Sequence, residues 1–258
     1  MARNPQLLTA GVAVGAGALL LAQAMALPQT PAQTRAAPGL TTRQVVARMV
    51  AMNEARTRAL HAFSALRSYQ VRYSGLGHAS AAMQVRVDFK LPGPKKFTIL
   101  SETGSGMLRH HVLEPLVKAE RQNAVVTSND GSALVPANYK FRLVAAPDDN
   151  GNGKYVLEAT PRTSKQRFLF HGTIWLNASD FGIERVQGKL PHSPSFWVKN
   201  VTFDYHTQKI GAFWLPATNK TRAHIRFFGH AVLEIRYHDF DLTSIAPVPT
   251  AAAAGGRP

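Results

Sequence analysis

A change of hydrophobic period at Ser68 constrains this chain more than any other feature. Before it, Val45, Met49, Met52, Ala55, Ala59, Phe63 and Leu66 recur at spacings of three and four, the mark of one apolar helix face. After it the spacing is two. Tyr69-Gln70-Val71-Arg72-Tyr73 and Met83-Gln84-Val85-Arg86-Val87-Asp88-Phe89 alternate apolar and polar side chains, as strands with one buried face do. The first pattern predicts an amphipathic helix over 42–67, with Thr41 as its N-cap and Gln44 completing a capping box. Arg43 and Arg58 fall on the far side of that helix. Arg48 and Arg56 lie beside the apolar stripe, so their stems must carry the charges outward.

The two-residue period continues with few interruptions. Leu91-Pro92-Gly93-Pro94 reads as a turn, and Phe97 to Leu100 as the third strand. Residues 109–121 are weakly helical, with Pro115 placed to kink or split them, and 122–137 form an irregular excursion. Strand-like runs resume at 139–145, 154–160, 166–177, 182–190, 195–206, 210–215, 221–228 and 231–241. The short gaps, most with Gly, Asn, Asp or Pro, are those of hairpins rather than of strand–helix–strand crossovers. The total is about eleven strands in one antiparallel sheet, a size at which sheets curl. The fold class is therefore mainly β with helices (α+β), built on a curled antiparallel sheet.

The ends of the chain read differently. Arg3, the apolar run Leu7 to Leu21 and Ala24-Met25-Ala26 together have the form of a secretory signal peptide over 1–26, cleaved after Ala26. Residues 27–40 read as a flexible leader, 41–245 as one domain, and the Pro/Ala/Gly-rich segment 246–258 as a disordered tail. The chain has no cysteine, so neither a disulfide framework nor lipidation at a cysteine is available. The expected location is the periplasm, as a soluble, non-lipidated protein. With 30 Lys and Arg against 15 Asp and Glu, the formal net charge is +15. That surplus favours anionic surfaces, and export makes nucleic acid an unsuitable partner.

Catalytic signatures are missing from the sequence: no His-Glu-x-x-His, Gly-x-Ser-x-Gly or Walker loop occurs. Gly104-Ser105-Gly106 reads as a turn. Asp148, Asn150, Asn152 and Gly153 match half of a calcium loop, but the position that requires a bidentate glutamate is Ala159, so a hairpin turn fits better. The ten histidines are scattered, and Asp204 with His206 on one strand face does not make a metal site. No enzyme, cofactor or metal is expected. What remains is apolar residues in phase: Tyr69, Val71, Tyr73, Met83, Val85, Val87 and Phe97 on the first strands, then Phe168, Phe170, Ile174, Phe203, Tyr205 and Phe227. These either pack against the long helix as core or line a ligand cavity.

The order of elements resembles the LolA/RseB superfamily of periplasmic lipoprotein carriers and envelope-stress sensors. The stretches that carry the resemblance are Leu66 to Tyr73, Val87 to Phe97, Pro194-Ser195-Phe196-Trp197 and Phe213-Trp214-Leu215-Pro216, the last two similar to the outer-membrane lipoprotein-sorting branch. The resemblance implies an incomplete β-barrel with helices over its mouth and a concave apolar surface that accepts acyl chains. It makes the in-phase residues cavity candidates, and a lipoprotein or another acylated ligand the partner, with transient contacts to anionic membrane and envelope proteins. A second reading within it is an envelope sensor or interaction module that binds a protein or polyanion without a lipid cavity. Where the lipoprotein carriers have Lys-Arg-Pro, with the arginine latching the lid, this chain has Lys90-Leu91-Pro92.

Overall fold

A computed structural model describes residues 39–122, 133–148, 153–163, 169–192, 198–227 and 229–245. The expected signal peptide, most of the leader, the tail, Phe168, Pro194 to Trp197, most of the 122–137 excursion and most of the 148–153 loop lie outside the described residues. Helix α1 (Thr42–Ala59) opens on the anticipated capping box: the Thr41 N–H donates to Gln44 Oε1 at 2.9 Å, and the Gln44 N–H to Thr41 Oγ1 at 3.4 Å. It ends at Ala59, not near residue 67. Phe63 and Leu66 belong to strand β1 (Leu60–Gly75), which continues directly from the helix. The reason lies in the pairing. Between Leu60 and Leu66 the register with the last strand shifts three times. The β1–β2 pairing runs without a shift from Ala62 to Ser74, so Phe63 shares the inner side with Tyr69 while Leu66 faces away, and their helix-like spacing joins residues from both faces of a strand.

Strands β2 (His78–Lys90) and β3 (Lys96–Gly104) follow β1 as hairpins. At Gly104 φ is +84°, and a Cβ there would lie 2.3 Å from the Ser80 carbonyl oxygen, so the close turn requires glycine. The chain then forms a helical turn, α2 (Gly106–Leu108), a π-helical turn (Arg109–Leu113) and α3 (Glu114–Gln122). Pro115 explains the wide turn: it has no N–H to give and would crowd the carbonyl one α-turn back, so the helix widens ahead of it.

Seven more strands run from the opposite edge: β4 (Tyr139–Ala145), β5 (Lys154–Pro161), β6 (His171–Asn177), β7 (Ile183–Lys189), β8 (Val198–Ile210), β9 (Phe213–Ile225) and β10 (Gly229–Ile245). Together the ten strands make one antiparallel sheet in the order β3-β2-β1-β10-β9-β8-β7-β6-β5-β4. The last strand thus pairs with the first, and the sheet is left unclosed between β3 and β4. This is an open, curled sheet with helices on its inner face, not an uninterrupted meander.

The runs expected at 210–215 and 221–228 are one strand, β9, that passes through Pro216 without turning. Proline has no N–H for a ladder and needs a local irregularity. The β8–β9 register shifts there, between His206 and Thr207, and the β9–β10 pairing extends only as far as Thr218 and Arg236. Gln208 fills the gap. Its side-chain amide donates to Pro216 O at 3.1 Å and to Tyr237 O at 3.2 Å, joining β9 to β10 where backbone bonds stop. Replacing Gln208 by Ala is expected to lower stability by about 1–2 kcal/mol, through two carbonyls left without that donor. The urea midpoint should fall with an unchanged m-value.

Candidate ligand cavity

The inner face of the sheet carries two separate cores. Under α1, Val45, Val46, Met49 and Met52 pack on Tyr139, Leu157, Ala159, Leu169, Phe170, Ile174, Leu176, Phe181 and Val186. Under the π turn and α3, Leu108, Leu113 and Val117 pack on Tyr69, Val71, Ala81, Met83, Val85, Val87, Phe97 and Ile235. Six of the cavity candidates, Tyr69, Val71, Met83, Val85, Val87 and Phe97, therefore stand in the second core, and Ile174 is buried in the first. Tyr73 lies towards the end of β1, half-buried. Phe227 is not on the inner face at all: it sits at the β9–β10 turn and is 76% exposed.

Between the two cores, the inner face of β7 to β9 is only partly filled. A cavity of about 460 Å³ opens there against the C-terminal half of α1. Its sheet wall is Ile183, Val186, Phe203, Tyr205, Thr207, Phe213, Trp214, Leu215 and Asn219; Asn53, Arg56, Thr57 and Leu60 face it, and Leu134 and Phe170 complete it. Of the expected residues, Phe170, Phe203 and Tyr205 are thus brought together. A second depression over Val50, Glu54, Arg58 and residues 133–135 shares Asn53, Thr57 and Leu134 with the first, so the two are continuous. Gly188 shapes the floor. The Phe170 and Phe203 rings lie 2.6 and 2.9 Å from where its Cβ would stand, and they meet edge to face at 5.0 Å.

One polar network anchors the wall. Arg56, expected to carry its charge to solvent, is instead 6% exposed. Its Nε donates to Ala212 O at 3.1 Å and its Nη2 to Asp180 O at 2.8 Å, with Asp180 Oδ2 at 3.3 Å. Those partners make burial of a guanidinium tolerable. Its Nη1 is buried and has no hydrogen-bond partner among the described residues. Burial pulls the Arg56 pKa down, against the attraction of Asp180. For Asp180, burial pushes the pKa up, but hydrogen bonds from Lys209, the Gly182 N–H and Trp214 Nε1, with the Arg56 charge, outweigh it and hold the carboxyl below its usual range. Sequence reasoning missed this network. A signal was present: Arg56 stands between Ala55 and Ala59 next to the apolar stripe, where a charge needs a partner.

A second buried polar cluster ties α3 to β1. Arg67 on β1 pairs with Glu120 on α3, which also accepts a hydrogen bond from the Tyr69 hydroxyl at 3.2 Å. The Arg67 guanidinium lies 5.1 Å from the Tyr237 ring centre and 5.3 Å from that of Phe97. Burial opposes the Arg67 charge, but Glu120 and Tyr69 outweigh it, and its pKa is raised. Burial likewise raises the phenols of Tyr69 and Tyr205, and takes Tyr237 up to about 12. The phenols are therefore neutral donors on the inner face. Asp204 and His206 point the other way, alternating with the cavity-lining Phe203 and Tyr205. Asp204 takes a two-pronged bond from Arg185 at 2.8 Å, with His206 at 3.1 Å. Among the described residues, no group of three His, Cys, Asp or Glu could hold a metal ion, and no helix is long and apolar enough to cross a membrane.

The chain is similar in fold to several solved structures of low sequence identity. One is the LolA superfamily protein NE2245 from Nitrosomonas europaea, at 12% identity and TM-score 0.42 over 82% of this chain and 96% of that one. Another is a DUF1329 family protein from Desulfovibrio piger, at 13% identity and TM-score 0.38 over 78% and 93% of the two chains. A third is a putative outer membrane lipoprotein-sorting protein domain from Vibrio parahaemolyticus, at 12% identity and TM-score 0.35 over 76% and 92%. No protein-family model and no curated protein matches the chain.

The Asp180 network makes a pH prediction. Because the folded pKa of Asp180 lies below its unfolded value, its contribution to stability is present above the unfolded pKa and is lost as pH falls through the folded one. Asp180→Asn should destabilise the chain by about 2–4 kcal/mol at neutral pH, since Arg56 stays buried without its counter-charge. Urea midpoints measured from neutral pH down through the carboxylate range should show an acid-dependent loss in the parent that is reduced in the variant.

Proposed function

We propose that this chain is an exported carrier or binding protein for an acylated hydrophobic ligand, held non-covalently and without a cofactor in the cavity beneath α1. The observation that carries the reading is the partly filled inner face of β7 to β9: about 460 Å³ walled by Phe203, Tyr205, Phe213, Leu215, Ile183 and Val186. Cavities of that size, mostly apolar with a few placed polar groups, are what small-ligand sites look like. Acyl burial supplies the affinity, at about 0.8 kcal/mol per methylene. Asn53, Thr57, Thr207 and Asn219 supply the polar complement in the wall for a carboxyl or ester oxygen. The periplasmic location rests on the signal-peptide form of residues 1–26.

The test is native mass spectrometry of protein prepared without detergent, before and after addition of a long-chain fatty acid or a synthetic acylated peptide. A stoichiometric adduct is expected. Asn53→Trp, which fills the space shared by both depressions from a half-exposed helix position, should weaken uptake by about tenfold or more, roughly 1.4 kcal/mol. Absence of any adduct in the parent would sink the reading and leave the protein-binding module in its place.

A further inference from the structure

Two hairpin tips stand side by side at one end of the sheet. β1 and β10 pair to their ends, Ser74 with His230 and Gly75 with Gly229, so the β1–β2 and β9–β10 turns are neighbours. Each presents a large apolar side chain to solvent: Leu76 is 85% exposed and Phe227 76%. They are the two most exposed large hydrophobic residues among those described. Phe227 is also held at φ +66°. That left-handed backbone suits Gly or Asn and is strained for a bulky aromatic. Neither folding nor solubility is served by a strained, exposed phenylalanine at a turn.

The charge around the tips is mainly positive. Residues 71–81 and 221–233 contain Arg72, Arg222 and Arg226, with His78, His224 and His230, and the nearest carboxylate on these strands, Glu234, pairs with Arg72 at 3.8 Å. The His224 and His230 rings meet at 5.0 Å, and the Arg226 guanidinium lies 6.0 Å from the Phe227 ring centre. Apolar side chains projecting from a cationic collar match the boundary of an anionic bilayer, where the apolar groups enter the acyl region and the cations meet phosphate. We propose that this end of the sheet is a membrane-docking edge, with Leu76 and Phe227 inserting into an anionic lipid surface. A protein groove would accept the two side chains but gives no reason for the surplus of arginines beside them, so the bilayer is favoured. Docking is reversible, because two side chains are a small anchor, and it weakens with salt.

The chain's lack of cysteine allows a direct test. In the full chain, single cysteines replace Leu76, Phe227, or the exposed Ala146 at the β4–β5 end as a control, each carrying a polarity-sensitive fluorophore. With vesicles of phosphatidylglycerol and phosphatidylethanolamine, the probes at 76 and 227 should shift to the blue and become accessible to acyl-chain quenchers, while the probe at 146 stays wet. Vesicles of phosphatidylcholine alone should give little shift. The unlabelled double variant Leu76→Ser, Phe227→Ser should partition onto the anionic vesicles about tenfold less than the parent while still taking up the fatty acid. Tip probes that stay wet on vesicle-bound protein would overturn the proposal, because attachment would then run through another part of the chain. So would undiminished partitioning of the double variant, which would mean charge alone, or no partitioning of any form, which would point to a protein partner for the tips.

Discussion

Everything else in this structure depends on the pairing of the first strand with the last. β1 bonds to β2 on one side and to β10 on the other, along almost its whole length. Without that seam the chain would be a three-stranded piece with its helix and a seven-stranded piece with another, each presenting a half-covered apolar face. The seam is made by residues at opposite ends of the domain, so it is entropically costly to form and is expected to come late in folding. Once made, it turns two amphipathic sheets into one curled surface whose interior can be covered by only two short helical segments.

The interior divides because the helices divide it. α1 and the α3 segment each fill the concavity over their own strands, and α1 meets β9 only at its end, where Ala59 packs with Phe213 and Leu215. The boundary is held by charges rather than by packing: Arg56 with Asp180 on one side, Arg67 with Glu120 on the other. Each is a buried pair that ties a helix to the sheet. Such pairs contribute less to net stability than equal apolar volume would, but breaking one is costly. They define position, and by doing so keep open the space into which a more apolar sheet would collapse.

The sequence made parts of this legible and hid others for physical reasons. Thr41 with Gln44 marks the start of α1, and the run 139–145 coincides with β4, because caps and alternation are local signals. The end of α1 was hidden because Phe63 and Leu66, on opposite faces of β1, happen to continue the spacing of the helix stripe. Pro216 suggested a turn, whereas a side chain from the neighbouring strand, Gln208, lets β9 run on. Alternation marks which face of each strand is apolar, and Tyr69, Met83 and Val85 on that face are buried. It carries no information about which inward residues a helix will cover. That depends on the strand order, and the order is set by the β1–β10 pairing, which leaves no mark on either strand alone. Arg56 and Phe227 were misplaced for different reasons: the charge is buried by partners distant in sequence, and the aromatic falls in the β9–β10 turn, where alternation has ended.

The junction of α1 with β1 has a mechanical consequence. The helix ends at Ala59 and the strand begins at Leu60, so the helix has no slack at that end. Arg56, less than a turn earlier, is fastened to Asp180 and Ala212, and Ala59 packs with Phe213 and Leu215. At the other end the hold is the apolar stripe and one bond, from the Leu143 N–H to Thr42 Oγ1 at 3.3 Å. α1 is thus a lever with its fulcrum at the arginine. A rotation about Arg56 would have to draw Val45, Val46, Met49 and Met52 out of the first core, and its reach would grow along the helix beyond, at about 1.5 Å of rise per residue.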